Sequence, residues 1–112
     1  MLLNKQISVK FTSPGFHRWP EASGKREYLK ERHRHLFYYE VRMQVNHGDR
    51  DVEFHDLMDE AKQIVCEEEH GDKSCEQIAY QIIDKLKEKY ADRQISVSVF
   101  EDNEAGAIVT TD

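Results

Sequence analysis

At 112 residues the chain has room for one domain and not for a second, and so modest a length makes assembly a natural way to bury more surface. With 16 basic against 22 acidic residues and a formal net charge of −6, it has no overall attraction for a polyanion, which excludes nucleic acid as an expected partner. No apolar run approaches a bilayer-spanning length, Met1-Leu2-Leu3-Asn4-Lys5 lacks the apolar centre of a signal peptide, and Cys66 and Cys75 form neither a C-x-x-C pair nor a disulfide framework. The expectation is a protein of the reducing cytoplasm with no membrane contact.

Ile7, Val9 and Phe11 alternate with Ser8 and Lys10, the period of a half-buried strand. Ser13-Pro14-Gly15 is expected to break it, and Trp19-Pro20 through Ser23-Gly24 reads as loop. His17 then falls on or beside an irregular segment. The basic residues between Lys25 and Arg34, interleaved with Glu27 and Glu31, read as a solvated face that also offers local attraction to a phosphorylated ligand. Leu36 to Val45 is a second strand, ended by the turn signal Asn46-His47-Gly48-Asp49.

The period then changes. Phe54, Leu57, Met58, Ala61, Ile64 and Val65 recur at helical steps, so Asp51 to about Cys66 is expected to be an amphipathic helix, with Cys66 filling core at its end. Ser74 followed by Gln77 matches a capping box. It opens a second helix, to about Tyr90, whose stripe is Cys75, Ile78, Ala79, Ile82, Ile83, Leu86 and Tyr90. Ile95, Val97 and Val99 form the third strand, with Glu101 in phase with its apolar face, and Ala107 to Thr110 returns as a hairpin partner. The order ββααββ predicts an α+β fold, a four-stranded antiparallel sheet with two helices on one face.

Within that frame the histidines stand out. His33 and His35 are two apart, so an extended backbone points both imidazoles to the face shared by Phe37, Tyr39, Val41, Met43 and Val45. Neighbouring imidazoles held by a strand are half of a zinc site, or else two solvated histidines beside Arg32 and Arg34. The metal reading draws on a third imidazole, His17, which a hairpin returns to the same place.

Taken together, Phe16-His17-Arg18-Trp19-Pro20, His33-Arg34-His35, Ser74-Cys75-Glu76-Gln77-Ile78-Ala79, Val97-Ser98-Val99-Phe100-Glu101 and Ala105-Gly106-Ala107-Ile108 resemble, in order and over nearly the whole chain, 6-pyruvoyltetrahydropterin synthase and its bacterial relative of the queuosine pathway, 6-carboxytetrahydropterin synthase. The resemblance implies the tunnelling fold, in which subunit sheets join into a barrel. It also implies a homo-oligomer, a trimer or a hexamer of two trimers, with active sites between subunits. Position by position it implies that His17, His33 and His35 bind zinc, with His33-Arg34-His35 standing where the family usually has His-Gly-His. Glu101 then grips the pterin ring, Ser74 stands for the family's substrate-binding threonine, and His70 with Glu69 stands where the family has its catalytic histidine and aspartate.

The departures are specific. The family's catalytic cysteine precedes the histidine pair, and no cysteine lies between Glu27 and Arg32. Leu29 occupies one register and Glu27 another, which makes Glu27 a candidate base. The stretch from His70 to Ser74 is shorter than in the relatives and lacks their Leu-Asn. Three functions follow: a zinc-dependent lyase acting on 7,8-dihydroneopterin triphosphate or a close pterin, a protein that binds a pterin or purine without turnover, and an assembly module whose histidines are incidental.

Overall fold

The computed structural model describes residues 1–112. Four strands, β1 (Lys5–His17), β2 (His33–Val45), β3 (Ile95–Glu101) and β4 (Ala105–Thr110), pair antiparallel in the order β1-β2-β3-β4. Two helices, α1 (Phe54–Ile64) and α2 (Cys75–Lys89), lie between β2 and β3 in the chain, so the order is ββααββ. A 3₁₀ turn over Gly24–Lys30 bridges β1 and β2, in a stretch for which the sequence reading named no regular element.

Strand parity decides what is inside. The buried apolar side chains of the strands are Val9 and Phe11 of β1, Phe37, Tyr39, Val41, Met43 and Val45 of β2, and Ile95, Val97 and Val99 of β3. They share one face, because side chains alternate and the register Phe11↔Tyr39↔Val99 keeps the strands in phase. That face forms one core with Leu57 and Ala61 of α1 and with Ile78, Ala79, Ile82 and Leu86 of α2. Both helices therefore cover the same side. The other side is polar, with Ser8 donating to Glu40 at 2.7 Å and Arg42 to the same carboxylate at 2.9 Å.

Several expectations at element ends are corrected. β1 does not stop at Ser13-Pro14-Gly15 but continues to His17. Phe16 donates its N–H outward to the Glu68 carbonyl, so by parity the nitrogen of Pro14 also faces the open edge, where a missing N–H costs no ladder bond. Gly15 supplies space: a Cβ there would lie 2.8 Å from the Phe37 ring and 2.9 Å from the His70 ring. β2 begins at His33 rather than Leu36, and β4 at Ala105 rather than Ala107. Gly106 permits that start, because a Cβ would come 2.0 Å from the Val99 carbonyl oxygen.

α1 starts at Phe54 rather than Asp51. The Asp51 carboxylate is engaged by the Asn46 N–H and by Arg93, and Glu53 caps the helix by accepting from the His55 N–H at 3.0 Å. Phe54 is 47% exposed and Cys66, past the helix end, faces solvent, so neither belongs to the core. α2 follows expectation. Ser74 accepts from the Gln77 N–H at 3.2 Å while Gln77 accepts from the Ser74 N–H at 2.9 Å, the reciprocal capping box. No helix is long and apolar enough to cross a membrane.

Candidate metal centre

The register that builds the core also gathers the histidines. His17 lies opposite His33, Gly15 opposite His35, and Phe37 opposite Glu101. His17, His33, His35 and Glu101 all carry the parity of the core face, one step beyond its apolar end. The continued β1 is what delivers His17, which is therefore held by a regular strand and not by a loop. Phe37, fully buried, is the floor: its ring meets those of His17, His35 and His70 edge-on at 5.4, 5.7 and 5.3 Å.

Each of the three imidazoles has one nitrogen occupied. The Nδ1 of His17 lies 3.0 Å from the Lys73 carbonyl oxygen, that of His33 is 2.8 Å from the Glu31 carbonyl oxygen, and that of His35 is 2.7 Å from an Asp102 carboxylate oxygen. None of these partners has a proton to give. In a neutral ring Nδ1 is then the N–H donor, and the lone pair sits on Nε2. This outer-sphere arrangement is the one that fixes histidine tautomers around metal ions. One ligand atom from each of His17, His33, His35 and Glu101 lies within 4.8 Å of all the others.

Asp102 comes from the turn that follows β3. Asp102 and Asn103 have φ of 53° and 59°, and the Glu104 N–H donates to the Glu101 carbonyl at 2.9 Å. Two left-handed central residues are what a tight hairpin of right-handed twist requires, and Asp and Asn tolerate them. The turn docks on β2 twice: Leu36 donates to the Asp102 carboxylate at 2.9 Å, and Asp102 donates to the Leu36 carbonyl at 2.8 Å.

Glu101 completes the cluster. Its Oε2 is 3.3 Å from His17 Nε2 and 2.6 Å from His35 Nε2. When the His17 ring is protonated, its hydrogen bond holds the Glu101 carboxyl below its usual value against partial burial, with the charge of the neighbouring imidazoles helping. Burial pushes His17 down, but the Glu101 contact and the Lys73 carbonyl outweigh it and its pKa is raised. His35 Nε2 is buried and has no partner in hydrogen-bond geometry despite its short approach to Glu101. A ring nitrogen this close to a carboxylate needs positive charge between them, supplied by a proton on the ring or by a bound cation. Three imidazole lone pairs and a carboxylate, with one buried nitrogen orphaned, fit a divalent metal ion such as zinc.

Beside the cluster is a pocket of about 420 Å³ lined by His17, His33, Glu101, Lys73, Ser74, Cys75, Leu29, Trp19 and Gly106, among others. Cys75 is buried, and burial followed by the charge of Glu101 pushes its thiol up to about 12, so it remains a protonated wall residue. Ser74 is placed on this wall as the cap of α2.

The remaining candidates lie apart. His70 is buried against Phe37 and Gly15, held where its N–H donates to the Phe16 carbonyl at 2.8 Å. Burial first, then the proximity of His17 and Lys73, lowers its pKa and keeps it neutral. It packs on Phe37, the floor of the cluster, and is not among the converging ligands. Glu69 pairs with Arg32 at the surface, and Glu27 is exposed, 3.5 Å from Lys30; neither lines the pocket. The side chain that does is Leu29.

Asp102 and the Lys73 and Glu31 carbonyls were missed by sequence reasoning. Only Asp102 left a signal, the Asp-Asn pair following Glu101. No protein-family model matches the chain, and no curated protein matches it.

Proposed function

We propose that this chain is a zinc-dependent enzyme of the 6-pyruvoyltetrahydropterin and 6-carboxytetrahydropterin synthase kind, with the tunnelling fold, converting 7,8-dihydroneopterin triphosphate to a 6-substituted tetrahydropterin. The observation that carries this is the convergence of three Nε2 lone pairs, each fixed by an acceptor at Nδ1, beside a pocket that holds a carboxylate. His17, His33 and His35 hold the ion, which when bound supplies Lewis acidity to acidify the substrate side chain.

The chain's own groups do the rest. Glu101 accepts hydrogen bonds from the amino and imino N–H groups of the ring edge. Ser74 and the free N–H groups at the start of α2 face the ligand's polar atoms, with Lys73 beside them for negative charge. His70 sits behind the ligands, where its neutral ring is a candidate proton relay with Glu69. Side chains of a neighbouring subunit complete the pocket, in keeping with an oligomer whose sites lie between subunits. The cytoplasm is the proposed compartment.

Purified, zinc-loaded protein incubated with 7,8-dihydroneopterin triphosphate tests this reading by chromatography of pterins and release of triphosphate. Steady accumulation of both products supports it, and an intact metal site without turnover rejects the enzyme. A second reading, a pterin- or purine-binding protein without turnover, is favoured by one specific observation: from the 3₁₀ turn and the residues leading to His33, it is Leu29 that lines the pocket, not a cysteine or a carboxylate. It predicts binding without product, lost in Glu101→Ala.

A further inference from the structure

We propose that Glu101 is the fourth ligand of the metal in the substrate-free protein, and that it leaves the ion to grip the edge of an arriving ring. Recognition of the heterocycle and opening of the ion's fourth position are then one event. This rests on the metal and pterin reading above, and differs from a three-histidine site that is permanently open.

The geometry points to a shared carboxylate. Around a tetrahedral ion with bonds of about 2.0–2.2 Å, donor atoms stand about 3.3–3.6 Å apart. The Oε2 of Glu101 is already 3.3 Å from His17 Nε2, and its 2.6 Å approach to His35 Nε2 opens to that value by a shift of less than about 1 Å. The same contact leaves His35 Nε2 buried without a hydrogen bond, and in the neutral ring the two facing lone pairs are resolved by a bound cation. Asp102 holds the other side of the His35 ring, so the ring cannot turn away to relieve it.

Glu101 is also free to move. Its backbone is fixed by pairing with Phe37 and Ala105, yet its side chain is 30% exposed and lines the pocket. Rotation about its side-chain bonds carries the carboxylate from the imidazoles toward the pocket without disturbing the sheet. A carboxylate bound to a dication gives up much of the negative charge that makes it a strong acceptor, so ion and ring edge compete for it.

Cobalt(II)-substituted protein tests the proposal, because its visible bands report coordination independently of turnover. In the wild-type protein, saturation with neopterin is expected to shift the bands. In Glu101→Gln and Glu101→Ala the ligand-free bands are expected to differ from wild type, zinc affinity to fall by about tenfold or more, and neopterin to cause no shift. Variants that melt like wild type and keep its bands and zinc affinity would overturn the proposal. So would neopterin binding, seen as quenching of its fluorescence, that leaves the wild-type bands in place. The wild-type titration needs no substitution and decides the matter if a variant fails to fold. Protein that takes up no cobalt, or does not bind neopterin, fails the underlying reading itself, and the proposal falls with it.

Discussion

Tyr39 carries a hydroxyl that the structure buries without a hydrogen-bond partner, beneath the cluster and beside Cys75, and burial raises its pKa. Its ring stacks on Phe11 with centroids 4.9 Å apart, so the ring contributes packing while the oxygen forfeits its hydration. Tyr39→Phe is therefore expected to raise the melting temperature by about 2–5 °C, corresponding to about 0.5–1 kcal/mol regained, as read by calorimetry. At this scale much of the site was legible. The parity of His33, His35 and Phe37 follows from spacing alone, and Glu101 was in phase with its strand before any register was known. The partners at Nδ1 were not, because two of them are backbone carbonyls whose direction depends on how loops fold back from residues 31 and 73.

Among the elements, the junction between β2 and α1 depends on Asp51. Its carboxylate accepts from Arg93 and from the Asn46 N–H, and these two bonds hold its pKa at about 2. A carboxyl depressed in the folded state contributes stability that is complete above the unfolded value of about 3.9 and is lost as pH falls toward the folded value. Thermal melts between pH 2 and pH 7 are thus expected to show Asp51→Asn less stable than wild type at neutral pH. The gap should begin to shrink below about pH 4 and close toward about pH 2. A constant difference across that range would show that the ion pair is not its source. Helical elements were the most readable part of this chain, since α2 is announced by its own cap and stripe. β1 was misjudged because a proline reads as a breaker until the sheet reveals that its nitrogen faces an open edge.

Over the whole molecule, the chain measures 52 × 26 × 23 Å with a radius of gyration of 15.4 Å, longer than the about 13 Å of a compact chain this size. The long β1–β2 pair projects the histidine cluster to one end of the sheet, and β1 and β4 leave its two edges without strand partners. Open edges of this kind are ordinarily covered, and their pairing between subunits is part of the proposed function. Sedimentation at micromolar concentration is expected to give a species of trimer mass or greater, and a monomer at all concentrations would leave the proposed intersubunit sites unformed. The element order and the antiparallel sheet were readable from the pattern of elements. The return of His17 to His33 and His35 by a hairpin was also expected, but the arrival of Glu101 among them was not, because it depends on register across three strands.

Zinc content per chain, measured on protein purified and exchanged into metal-free buffer after loading, tests that convergence most directly. One tightly held zinc per wild-type chain, lost in His33→Ala without loss of the folded state, is the predicted result. Wild-type protein that retains no zinc, or a His33→Ala variant that retains as much, would contradict it.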